Sequence, residues 1–153
     1  MIKVENMQEN DENSSVSLIP YYPNYETALV WYQDLQLCKQ VDNIDYVYSL
    51  ERLKAMYHYL DTHGECYYIQ YEGILVGDVT LQDSGELSIV ICKEYQNRHI
   101  GRACIQKMIE RAKEKGMHTV KANIYSFNTQ SRKMFQSLGF QKTAEEQYEY
   151  HIV

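Results

Sequence analysis

Hydrophobic positions change period several times along this chain, and each change marks an element. Ser17-Leu18-Ile19 reads as a short strand ended by Pro20. Over residues 24–41, Ala28, Trp31, Tyr32, Leu35 and Cys38 recur at three- and four-residue steps, which predicts one amphipathic helix. After the polar link Asp42-Asn43-Ile44-Asp45, Ser49 is placed to cap a second helix. Its stripe is Leu50, Leu53, Met56, Tyr57 and Leu60, and Gly64 follows its end. Three strands come next, over 66–71, 74–82 and 86–92, joined by tight turns at Glu72-Gly73 and Asp83-Ser84-Gly85. A third helix carries Ile105, Met108, Ile109 and Ala112 inward and stops at Gly116. Residues 119–125 form a fifth strand, Asn128 caps a fourth helix stopped by Gly139, and strands over 140–143 and 147–152 finish the chain.

The expected order is β-α-α-β-β-β-α-β-α-β-β. A strand-helix-strand unit over 87–125 demands a parallel pair, whereas the hairpins before it are antiparallel. The fold class is therefore α/β in the broad sense, a central mixed, twisted sheet flanked by helices on both faces. Residues 1–15 are polar and acidic and read as a mobile leader, leaving 16–153 as a single domain. A domain of that size buries roughly 70% of its unfolded surface and needs no metal or disulfide support.

Chemistry concentrates between the fourth strand and the third helix. The apolar strand Leu87-Ser88-Ile89-Val90-Ile91-Cys92 runs into Lys93-Glu94-Tyr95-Gln96-Asn97-Arg98-His99-Ile100-Gly101-Arg102, a polar, basic link with glycine at the helix start. Unpaired amides and the positive end of a helix dipole both favour an anion, so this junction suits a phosphorylated cofactor whose reactive end lies along the strand.

Composition narrows the partners. A net charge of −6 argues against nucleic acid, which needs a basic face, and is compatible with a cationic substrate. No run approaches the ~18 apolar residues of a membrane span, and the N-terminus has no signal-peptide core. Cys38, Cys66, Cys92 and Cys104 form no Cys-x-x-Cys pair and read as buried thiols of a reducing cytoplasm; no metal site is expected. The 15 tyrosines suit half-wet pockets and interfaces.

Order and motif together resemble the GNAT-type N-acetyltransferases, over nearly the whole length after the leader. Their phosphate loop (Gln or Arg, two residues, Gly, one residue, Gly or Ala) corresponds to Gln96-Asn97-Arg98-His99-Ile100-Gly101, with His99 in place of the first glycine. Their Asn-x-x-Ala-x-x-Leu-Tyr-x-x-x-Gly-Phe pattern corresponds to Asn128 through Phe140, with Phe135 in place of the tyrosine. The resemblance implies a GNAT-like fold that uses acetyl coenzyme A to acetylate a primary amine of a small molecule or peptide N-terminus. It implies fourth and fifth strands splayed like a V, so that backbone groups of Ile89, Val90 and Ile91 receive the acetyl and pantetheine arm. Amides from Asn97 to Arg102 would hold pyrophosphate, Arg98 and Arg102 would add charge, and Asn128 would reach pantetheine. A side chain at His99 is tolerated if its backbone angles are helical and the imidazole points away from the phosphate; protonated, it could add a charge-assisted contact, and the alternative is a plain surface histidine. The tyrosine-rich last strands are where a homodimer would form.

Two catalytic positions of the family are altered. Its strand-five glutamate is here Asn123, which cannot accept a proton, and its general acid is here Phe135. Glu86 is the first substitute base and Asp78 the second, with Asp78 expected to be an exposed strand-end carboxylate. Tyr125 is the candidate acid, unless the thiolate leaves unaided, since a thiol of pKa ~8.5 is a tolerable leaving group. Trp31, Tyr32, Asp42, Asp45, Tyr46 and Tyr48 fall in the region that borders the acceptor in the family. The two altered positions also leave open a non-catalytic acyl coenzyme A-binding module of the same fold.

Overall fold

The computed structural model describes residues 15–153, so all but the last residue of the expected leader lies outside the described residues. Strand β1 (Val16–Pro20) is followed by three helices, α1 (Tyr25–Trp31), α2 (Leu35–Asp42) and α3 (Leu50–His63). Strands β2 (Gly64–Tyr71), β3 (Ile74–Gln82) and β4 (Glu86–Ile91) follow, then α4 (Ile100–Glu114), β5 (Thr119–Asn123), α5 (Thr129–Ser137), β6 (Gln141–Ala144) and β7 (Gln147–His151). One mixed sheet in the order β1-β2-β3-β4-β5-β7-β6 contains them, parallel only between β4 and β5. The order matches the expectation, with one difference.

That difference is the helix expected over 24–41. It breaks after Trp31, where the amides of Tyr32 and Gln33 bond back three residues, to the carbonyls of Leu29 and Val30, and tighten the last turn. Asp34 then accepts from the Leu37 amide at 3.0 Å and starts α2 afresh. The apolar stripe continues through both pieces, so periodicity alone could not register the break.

The hairpin between β2 and β3 turns on Glu72 and Gly73, both left-handed at φ 50° and 83°, the primed turn whose twist matches the strands. A bulge follows: Ile69 faces Gly77 and Gln70 faces Leu75, so Val76 is the extra residue. Side chains on β3 then alternate. Asp78 and Thr80 face α1 and α3, while Val79 and Leu81 face the side that carries α4.

Helix α4 is fixed at its far end. Arg111 meets Glu65 of β2 with two parallel bonds of 2.8 and 2.9 Å, Lys115 adds a contact at 3.2 Å, and the Tyr67 hydroxyl donates to the same carboxylate at 2.6 Å. The Arg111 guanidinium chiefly holds the Glu65 carboxyl at about 2, well below the ordinary range.

Strand β4 is pressed onto β3 at Gly77, where a Cβ would lie 1.9 Å from the Val90 carbonyl oxygen. The obstruction is backbone and cannot rotate away. Gly77→Ala is expected to lower stability by about 1–3 kcal/mol or more, measured as a fall in the urea midpoint.

Candidate functional site

The site is a gap between strands. Strands β4 and β5 pair only at Glu86 with Lys121 and Leu87 with Ala122, and then diverge. The Gly85 carbonyl accepts from Lys121 on the β5 side, and the Cys92 amide donates to Val76 on the β3 side. Strand alternation therefore directs the N–H and C=O groups of Ile89 and Ile91 into the gap. Those of Val90 point to β3, so of the three residues expected to present backbone to the cofactor, Val90 presents only its side chain. A cleft of about 1050 Å³ occupies the opening.

The gap is held open at its wide end. The Gln96 side-chain amide donates to the Ile91 carbonyl at 2.9 Å and reaches Gln40 of α2 at 3.3 Å. Asn97 and His99 are both left-handed, at φ 63°. The helical angles expected at His99 are present in the left-handed sense, a conformation that glycine adopts freely and L-residues resist. Glycine would occupy this position without cost, and histidine bears its strain.

Side chains cap α2, α3 and α5, through Asp34, Ser49 and Asn128. At the start of α4, His99 makes no such bond, and the amides of Ile100, Gly101 and Arg102 precede the first intrahelical donor, Ala103. A Cβ on Gly101 would find Met134, Ile89 and Ile91 side chains at 3.6–4.0 Å, ordinary contact distances. A cradle of open amides with room above it fits a diphosphate. Arg102 lines the cleft and bonds Ser137 of α5. Arg98 does not line it: its guanidinium lies over the Tyr95 ring at 4.9 Å. Asn128 caps α5 through the Ser131 amide and also reaches the Gln40 carbonyl at 3.4 Å. Phe135 is buried edge-on against Phe140 and closes the cleft floor.

The two carboxylate candidates differ sharply. Glu86 accepts from Asn123 at 2.7 Å and from Gln82 at 3.0 Å, so the residue in the family's glutamate position serves here as a neutral donor. Asp78, expected to be exposed, is 2% exposed. The hydroxyls of Tyr32 and Tyr57 both donate to its Oδ2, at 2.7 and 2.9 Å. Desolvation raises its carboxyl to about 6, and the two tyrosine bonds offset part of that rise. Tyr125 lies just beyond β5, lines the cleft and stacks on Phe127; burial raises its phenol, keeping it protonated. Burial also raises the Cys92 thiol to about 11 and that of Cys104 to about 12, which leaves neither as a ready nucleophile.

Of the acceptor-side residues expected from sequence, Tyr32, Asp42 and Tyr48 line the cleft. Trp31 is buried against Tyr68, Asp45 pairs with Lys39 at 3.8 Å, and Tyr46 lies outside under Arg52. Sequence reasoning missed Lys133 and the pair Glu145 and Glu146 in the β6–β7 turn, which also line it. Tyr57 was legible only as a core position of its helix. Among the described residues no group of three or more metal-ligating side chains is arranged to hold an ion, and no helix is long and apolar enough to cross a membrane.

Comparison with known proteins agrees with this geometry. The model of the acetyltransferase (GNAT) family matches residues 28–140. A domain from Methanocaldococcus jannaschii superposes with a TM-score of 0.78 at 22% identity, covering 90% of this chain and 98% of its own. A GNAT-family acetyltransferase from Bacillus anthracis gives 0.72 at 17%, covering 90% and 93%. Spermidine N-acetyltransferase from Vibrio cholerae, solved with CoA and spermine, gives 0.73 at 15%, covering 89% and 92%.

Two stability effects follow from the site. Because the folded Asp78 carboxyl titrates above its ordinary value of 3.8, its protonated form favours folding, and that contribution is lost as pH rises from about 4 through about 6. Asp78→Asn is therefore expected to raise the melting temperature at pH 7.5, by an equivalent of up to about 3 kcal/mol, with the gain shrinking towards pH 4. His99→Gly relieves the left-handed strain and is expected to add up to about 1 kcal/mol, read from urea unfolding.

Proposed function

Because the chain belongs to the GNAT acetyltransferase family, we propose that it transfers an acetyl group from acetyl coenzyme A to a primary amine of a small molecule or peptide N-terminus, by direct attack. The observation that carries this reading is the splayed β4–β5 gap with uncapped amides at its wide end. Ile89 and Ile91 offer backbone to the acyl arm as a strand edge does, and the α4 amides and Arg102 suit the pyrophosphate. Bound there, the cofactor would supply the activated thioester. The chain's own contribution is to orient it and to receive a proton.

Charge along the cleft supports an amine at the other end. Carboxylates of Asp42, Asp78, Glu86, Glu145 and Glu146 line it. Asp42 is offset by Arg52 at 3.5 Å and Glu145 by Lys142 at 3.8 Å. Glu86 is held by neutral amides, and Glu146 by the Ser126 amide at 2.6 Å and its hydroxyl at 3.0 Å, so neither is paired with a basic side chain among the described residues. Spermine in the Vibrio cholerae structure is a polyamine of the kind such a lining favours. An amine of pKa ~10.4 arrives protonated and must lose a proton before attack, for which the cleft offers Asp78 and Glu86. Tyr125, which lines the cleft, would be the acid towards the thiolate, and solvent can serve equally. The buried free thiols suit a reducing cytoplasm.

The test is thiol release from acetyl coenzyme A across a panel of diamines, polyamines, amino acids and peptides. Turnover with at least one amine is expected. Saturable cofactor binding without any acetylation would instead mark a non-catalytic acyl coenzyme A-binding module. Gly101→Glu is expected to weaken coenzyme A at least tenfold in calorimetry, whereas Gly101→Ala, which has room within the protein, should not; equal affinities for all three proteins would remove the site.

A further inference from the structure

Resting on that reading, the geometry points to a division of labour between the two cleft carboxylates: Asp78, gripped by Tyr32 and Tyr57, takes the proton from the attacking amine, and Glu86 binds charge without reacting.

Both tyrosine hydroxyls converge on one oxygen, Oδ2. The other oxygen, Oδ1, makes no hydrogen bond among the described residues. It is not among the sealed polar atoms either, for Thr80 Oγ1 alone is buried without a partner among the described residues. Asp78 lines the cleft, so Oδ1 is the oxygen turned towards it. A carboxylate held on one side by two donors, with a single acceptor oxygen facing the reaction space, is built as a base and not as a packing residue. Its register position supports this, since Asp78 lies directly opposite Val90, between the two residues that direct backbone into the gap.

Glu86 is differently placed. It lies four residues from Val90 along β4, so the Cα atoms of Glu86 and Asp78 are separated by about 14 Å at ~3.3 Å per residue and one strand spacing, and the Glu86 side chain is held at its own end by Gln82 and Asn123. They cannot serve one nitrogen atom. Both Glu86 oxygens are already taken as acceptors, one by the Gln82 side-chain amide and one by that of Asn123, so neither is left open as the Asp78 Oδ1 is. The titratable groups facing Asp78 are Tyr32 at the end of α1, Tyr57 from α3, and Tyr68 and Cys66 from β2. All are neutral below pH 9, so no neighbouring charge competes in the range where Asp78 titrates.

The step balances simply. One proton passes from R–NH3+ to Asp78 Oδ1, directly or through a water. The freed lone pair forms the C–N bond, the C–S bond breaks, and the second N–H proton reaches the thiolate through solvent or Tyr125. The products are the amide and free coenzyme A, and Asp78 returns its proton to bulk water. An acceptor carrying a second ammonium would reach Glu86.

The decisive measurement is the pH dependence of kcat with an amine acetylated in the panel. The wild type should lose activity below a limb near pH 6. Asp78→Asn should lower kcat on the order of 10²-fold at pH 7 and abolish that limb, with coenzyme A affinity unchanged. Tyr57→Phe removes a donor that favours the charged carboxylate, so its limb should move to higher pH; a merely structural tyrosine would leave it in place. Glu86→Gln should raise KM, most for diamines, and keep the limb. An Asp78→Asn enzyme within twofold of wild type, with its limb intact, overturns this inference alone, whereas a wild type that acetylates no amine overturns the reading beneath it. Should Asp78→Asn fail to fold, carboxyl carbon NMR of the wild type decides: an Asp78 resonance that does not titrate between pH 5 and 7 overturns the assignment.

Discussion

Strand β4 is asked to pair fully on one edge and to leave the other unpaired, and the site follows from that demand. Full pairing with β3 runs through five successive residues of β4, from Leu87 to Ile91, while pairing with β5 stops after two. Unpaired backbone in a protein interior costs free energy comparable to a lost hydrogen bond, so a gap of this kind persists only where something else satisfies it. Gln96 satisfies the Ile91 carbonyl from the wide end. Gly77 lets β3 approach closely enough to keep β4 from drifting back towards β5. The remaining groups are left for a ligand that pairs as a strand would.

Much of this was legible in the sequence, and the reasons are local. Gly73, Gly85, Gly116 and Gly139 all adopt positive φ where the reading placed turns or helix ends. Ser49 and Asn128 cap the helices they were expected to cap. The unit from Leu87 through α4 to β5 required a parallel pair, and the pair is there. The break between α1 and α2 was hidden because the core stripe is continuous while the backbone is not. Only the Asp34 cap marks it, and an aspartate within an amphipathic stretch reads equally as solvated surface.

The misreadings at the site share a cause: they depend on where a side chain goes after the backbone is placed. Asp78 sits in a strand that alternates cleanly, Asp78-Val79-Thr80-Leu81-Gln82, so its face reads from sequence as the solvated one. Its burial is made tolerable by Tyr32 and Tyr57, which are 46 and 21 residues away in sequence. Arg98 turns over the ring of Tyr95 earlier in the same link, and His99 takes a conformation that its residue type disfavours. Asn123, which reads as a lost base, has become the group that steadies Glu86. No periodicity carries such information.

The ionic clamp at Glu65 has a mechanical corollary. Helix α4 spans 15 residues, about 22 Å at 1.5 Å per residue, with Arg111 and Lys115 bolted to β2 at one end and the phosphate cradle at the other. It behaves as a lever with its fulcrum at the clamp. A tilt of about 3° there sweeps the cradle by roughly 1 Å, the scale on which positional catalysis is won or lost. Ionic strength, which loosens half-exposed ion pairs, would act through the clamp on the proposed cofactor end of the same helix.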